Sequence, residues 1–214
     1  MLQLTNDHIR LSYRYRRMLI PDYVMSVGSV DDAENVFLSS DSAIMSVIGD
    51  VAELLHAFHD ERWARMEEFK ERCGDSREFP VIPFVNCVEG SIEDLLANLL
   101  IRVYCLCHCS GVEFDDDVLE IDMDDVFGDR LADKHPTELL SFLLHLVVDR
   151  MPVEEDGEVV TDEEFMGRLV SYYGGIITFI ESWCNYLNIP LTYFLHLRFM
   201  YMRVLCSDSS KSSN

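Results

Sequence analysis

The sequence predicts an all-α protein, and three observations carry that prediction. Apolar residues recur at steps of three and four along most of the chain. No two alternating runs meet across a hairpin turn. Ser, Asp, Pro and Gly stand where helices are expected to start and stop. One helical bundle is therefore expected over residues 1–206, followed by a disordered polar tail at 207–214. A chain of 214 residues can bury a core without disulfide staples.

The clearest element is the segment 41–59. Ile44, Val47, Ile48, Val51, Leu54, Leu55 and Phe58 draw one stripe down a helix, with Asp41 as its N-cap. A second helix is predicted over 91–109, capped by Ser91 and stopped at Gly111. Further helices are expected near 6–19, 30–38, 60–73, 136–150, 162–187 and 191–206, with Pro136 and Pro190 at first-turn or boundary positions. Gly174 and Gly175 fall inside one of them, where each costs about 1 kcal/mol relative to Ala. Such a pair predicts a close helix approach or a break. An echo at an offset of 77 aligns residues 99–112 with 176–189. It suits either two related helical units, about 40–112 and 136–206, or chance likeness between two buried helices.

Charge bounds the function. With 17 Lys+Arg against 39 Asp+Glu the formal charge is −22, which repels phosphate backbones and anionic membranes. Direct nucleic-acid binding is not expected. No uncharged apolar run reaches the ~18–20 residues that span a bilayer, and the first residues hold no apolar signal core. A cytoplasmic protein is the expectation. Residues 113–164 hold 19 acidic and 3 basic side chains, a net −16 of the total. The densest part, 113–125, fails the calcium-loop pattern because Val126 and Phe127 follow Asp122 and Asp124, so a solvated connector is expected. A second acidic stretch, 152–164, contains Pro152 and Gly157 and is expected to link two helices.

Seven cysteines, an odd number, point to reduced thiols. The cluster Cys105, Cys107, His108 and Cys109 invites a zinc reading, but no second ligand pair accompanies it and its flanks are those of a buried helix. Core packing is the expected role.

Asp50 and Glu53 are one helical turn apart and project from one face, where like charges repel by a few tenths of a kcal/mol. They interrupt a stripe of Ile48, Val51, Leu54 and Leu55. A magnesium ion held by carboxylates, water and substrate phosphates would account for that placement. A solvated helix edge is the competing reading, and spacing alone favours it.

Three stretches, in order along the chain, resemble the MazG-like all-α nucleoside triphosphate pyrophosphohydrolases. Residues 49–59, GDVAELLHAFH, look like that family's first metal-binding helix with its Glu-x-x-Glu motif, and 60–69 resemble the Trp-containing connector of some members. Residues 91–103, SIEDLLANLLIRV, resemble its Glu-Asp-Glu-Leu-Ala-Asp-x-x-Ile-Arg segment. Residues 188–202, NIPLTYFLHLRFMYM, are similar to its closing Gly-Ile-Asp-Leu-x-Trp-His helix with the Lys-Met-x-Tyr-Asn ending.

The resemblance implies a helical bundle in which four carboxylates on two antiparallel helices hold magnesium, which carries the triphosphate and helps activate the attacking water. Asp50 and Glu53 fill the first pair; Leu95 and Asn98 stand where the second pair would be. Asp94, four residues from Asn98, shares its face and offers partial rescue. The implied metal set is Asp50, Glu53, Asp94 and Asn98, with Glu53 and Asp94 in the catalytic roles. Arg102, Arg198 and Tyr201 are the implied nucleotide-binding residues, Arg198 replacing a Lys and Met202 an Asn. Halving the ligand charge from −4 to −2 predicts weak magnesium binding and impaired or lost hydrolysis.

Three functions follow as expectations. One is magnesium-dependent binding of a nucleoside triphosphate; another is a non-catalytic helical scaffold acting through protein partners, with a homodimer as one assembly. An acidic decoy for a basic nucleic-acid-binding protein is a third. Arg102 is expected to pair with Asp50 or Glu53 across a helix interface. His56 is at most a marginal ligand, because steps of three drift around a helix. Arg10, Arg14, Arg16 and Arg17 are expected to dock on acidic helices or a partner. Tyr193, Phe194, Phe199 and Tyr201 are spaced for core packing rather than base stacking.

Overall fold

A computed structural model describes residues 40–74, 78–109, 112, 135–149 and 161–211. These residues are all-helical, with no strand among them. The helices predicted near 6–19 and 30–38, the basic run at 10–17, the Gly111 stop and the acidic stretches 113–134 and 150–160 lie outside the described residues.

α1 (Ser40–His59) buries Val47, Val51, Leu54 and Ala57, a stripe at steps of three and four. Leu55, expected in that stripe, is instead 42% exposed. It lies next to Leu54, about 100° further round the helix. The helix expected over 60–73 begins late. Arg62 O accepts from Ile92 N (2.8 Å), Ala64 N–H donates to Glu93 Oε2 (2.9 Å) and Arg65 N–H to Cys87 O (2.9 Å). With these backbone groups engaged by distant residues, only α2 (Met66–Cys73) is helical. It packs against α3 (Val81–Cys87), a short helix that follows Pro80 and carries Pro83 in its first turn, where an N–H has no helical acceptor.

α4 (Ile92–Cys109) is the centre of the bundle. Ile92, Leu96, Ala97, Leu99 and Leu100 are fully buried, and the helix packs against α1, α6 (Asp162–Tyr186) and α7 (Leu191–Lys211). Such all-round burial explains its apolar sequence. α5 (Pro136–Asp149) packs on α1 and α6, so residues from both halves of the chain share one core.

α6 opens with a capping box between Thr161 and Glu164. It continues unbroken through Gly174 and Gly175, so no break is found there, and a Cβ on Gly175 would meet nothing within 4 Å. Asn188 (φ 56°) turns the chain into α7 after Pro190. α7 runs to Lys211, past the point where the sequence suggests a tail. Cys73 and Cys87 are free thiols, and Cys107 is buried as expected, as is Cys184; the side chains of Cys105, His108 and Cys109 lie outside the described set. No helix among the described residues is long and apolar enough to cross a membrane.

Candidate functional site

The start of α4 fixes the first carboxylate. Ser91 Oγ accepts the Asp94 backbone N–H (3.3 Å), as predicted for its cap, and Gly90 N–H donates to Asp94 Oδ2 (3.0 Å). Gly90 has φ +73°, which a side chain would strain, and a Cβ there would sit 3.7 Å from Arg62 Nη1. Asp94 is thereby pinned with its side chain only 2% exposed.

Opposite it, α7 supplies a cation. Arg198 Nη1 donates to Asp94 Oδ2 at 3.2 Å and lies 3.8 Å from Glu89 Oε1. The guanidinium sits over the Tyr201 ring at 5.7 Å, and that ring packs against Phe84 (4.7 Å between centroids) and Phe79 (6.4 Å). Burial, and then the charge and hydrogen bonding of Glu89, raise the Tyr201 hydroxyl above its ordinary value, so it stays a protonated donor to Glu89.

α1 supplies the second carboxylate. Arg102 of α4 grips Asp50 with two hydrogen bonds, Nε to Oδ2 and Nη2 to Oδ1 (3.3 Å), which is the pairing that the sequence predicts. Glu53, one turn on, is exposed, yet its charge acts on both Asp50 and Asp94. Asn98 is half-buried between Asp94 and Arg102 at steps of four on α4. Leu95 is buried and apolar. Asp50, Glu53, Asp94, Arg102 and Arg198 thus lie within electrostatic reach of one another where α4 meets α1 and α7. His56 and Tyr193 are exposed, while Phe194 and Phe199 are core residues.

Sequence reasoning missed Glu89, Gly90, Arg62 and Glu93. The Glu-Gly step before the Ser91 cap is the one signal that marked this turn.

Asp50 and Asp94 are both raised above the ordinary carboxylate value of 3.8. Burial is the main cause for each. Hydrogen bonding and charge from Arg102 oppose it at Asp50; the charge of Arg198 and the Gly90 N–H oppose it at Asp94. A carboxyl raised in the folded state binds its proton more tightly there than in the unfolded chain. Its contribution to stability is full below the unfolded value and is lost as pH rises through the folded one. Self-repulsion of the −22 chain relaxes in the same direction. The urea midpoint should therefore rise as pH falls from about 7 toward about 4.5, and a steady fall over that window contradicts this assignment.

The donor set does not fit a magnesium ion. Magnesium needs hard oxygen ligands in octahedral array, whereas Asp50 and Asp94 each already carry a guanidinium and Leu95 offers no ligand. Among the described residues no three His, Cys, Asp or Glu side chains form a group with metal-holding geometry. Arg102, Arg198 and Tyr201 point at carboxylates of their own chain. Three polar atoms at this junction are buried without a hydrogen-bond partner: Asp94 Oδ1, Arg198 Nε and Arg62 Nε.

Comparison with known proteins adds no relative. No family model matches the chain, and no curated protein or solved structure matches it significantly.

Proposed function

We propose that this chain is a MazG-like helical protein in which nucleotide hydrolysis is lost, and that it serves as a non-catalytic module acting through protein partners. One observation carries the reading: the carboxylates that the resemblance would give to magnesium are neutralised by Arg102 and Arg198. A guanidinium is permanently charged, so it blocks a divalent ion electrostatically as well as sterically. Without that ion, a polyphosphate would approach a cluster of Asp50, Glu53, Glu89 and Asp94 with nothing to offset their charge beyond two arginines already engaged. Replacement of the second ligand pair by Leu95 and Asn98 acts in the same direction. The net charge of −22 directs the protein toward basic partners.

The convergence of Asp50, Glu53 and Asp94 favours a second reading, magnesium-dependent nucleotide binding with weak hydrolysis. One assay separates them. Purified protein is incubated with a panel of nucleoside triphosphates and Mg²⁺ or Mn²⁺. The non-catalytic reading predicts no pyrophosphate release and no thermal shift. Release that disappears in Glu53→Gln overturns it.

A further inference from the structure

We propose that residues 1–20 of this chain dock on the outer seam between α1 and α5, a surface apart from the α1, α4 and α7 junction. Docking there is independent of the nucleotide question and goes beyond the reading above.

The seam follows from the faces that α1 and α5 turn toward their neighbours. α5 reads PTELLSFLLHLVVD, apolar nearly all round, as in a helix buried on every side. It leans on α6 through Phe142 against Phe179 (5.3 Å between centroids) and through Val147 O, which accepts from the Tyr172 hydroxyl (2.8 Å). Leu144 stands about 200° around the helix from Phe142, on the border toward α1, and is 37% exposed; Val148, one turn on, is 48% exposed. α1 is held toward α4 on its Asp50 side by Arg102. Leu55 lies about 140° from Asp50, on the border toward α5, and is 42% exposed. Leu55, Leu144 and Val148, with exposed Ala52 one turn before Leu55, thus form an apolar strip along the contact of the two helices. Asp60 and Glu61, both exposed, stand in the turn that ends α1.

Residues 1–39 run directly into Ser40, the first residue of α1, so they are tethered to one of the two helices that make the strip. Residues 21–39 can span up to about 60 Å, twice the ~30 Å length of α1, so residues 1–20 reach every part of it. A tether of this kind holds a segment near its target at a concentration on the order of millimolar. Residues 1–20 carry Ile9, Leu11, Met18, Leu19 and Ile20 for an apolar surface, and four arginines against one acid, Asp7. Their sign is opposite to that of the chain as a whole and complements Asp60 and Glu61 at the end of α1. A second copy would bring one chain of charge −22 against another.

Limited trypsin digestion of the full chain reads the docking directly, because Arg10, Arg14, Arg16 and Arg17 are trypsin sites. Cleavage at them, followed by mass spectrometry, should be about tenfold slower than in a synthetic peptide of residues 1–20, at every protein concentration used. Leu144→Asp/Val148→Asp and, from the α1 side, Leu55→Asp should each remove that protection. Ile82→Asp, at a 74% exposed position on α3, should keep it. Circular dichroism restricts the comparison to folded variants, and Leu144→Ser/Val148→Ser takes the place of an aspartate variant that does not fold. Wild-type cleavage as fast as the peptide's overturns the proposal. So does protection that survives in the seam variants, or that is lost equally in Ile82→Asp. Protection that grows with concentration alongside a dimer in sedimentation also overturns it, in favour of a second copy on the strip.

Discussion

Trp183→Ala should lower stability by about 3–5 kcal/mol, and Tm by roughly 6–20 °C, which is the range for emptying a large aromatic site in a core. Trp183 on α6 is fully buried. It stacks on Phe58 of α1 (5.1 Å between centroids, planes 10° apart) and leans on Phe179 (5.9 Å). Phe58 in turn meets Trp63 edge-on at 6.1 Å, so this aromatic row ties α6 to α1 and to the turn that follows it. Trp183→Phe should cost much less, because it keeps a ring in the stack and removes an indole N–H that is buried without an acceptor. Urea denaturation of both variants checks the pair. Equal losses would show that volume and stacking are not what Trp183 contributes.

Asp94→Ala should cost a similar amount, about 3–5 kcal/mol, for a different reason. The change strands Arg198, whose side chain is 19% exposed, with Glu89 at 3.8 Å as its remaining carboxylate, and it also frees the Gly90 N–H. The raised value of Asp94 shows that burial outweighs the attraction of Arg198. The pair is thus no source of net stability over an apolar substitute, and the loss comes from breaking half of it. Asp50→Ala should cost less, because Arg102 is 32% exposed and can turn to water.

The bundle was legible because its helices obey a period set by backbone geometry. Val47, Val51 and Leu54 announce the buried face of α1, and the largely apolar flank of the cysteine cluster at 99–104 announces a buried helix. The partner of Arg102 was legible too, since a charged residue in a largely apolar helix has Asp50 or Glu53 as the carboxylates to meet. The break at 60–65 was not, since the hydrogen bonds that claim those backbone groups come from Cys87, Ile92 and Glu93. Nor was the role of Arg198. An arginine that would bind phosphate and one that neutralises a carboxylate 104 positions away look alike in sequence, and only the packing of α7 on α4 distinguishes them. At the paired glycines the helix runs on without the expected break, and Gly175 faces open space.

The central claim is that a guanidinium, not a metal, balances Asp94. A double-mutant cycle with Asp94→Asn, Arg198→Gln and the double variant, measured by urea denaturation in EDTA, tests it most directly. The account predicts a coupling energy of about 1–3 kcal/mol in EDTA, and a wild-type stability that does not change when Mn²⁺ replaces EDTA. Single-variant losses that add to within about 0.3–0.5 kcal/mol, or a wild type that Mn²⁺ stabilises, would contradict it.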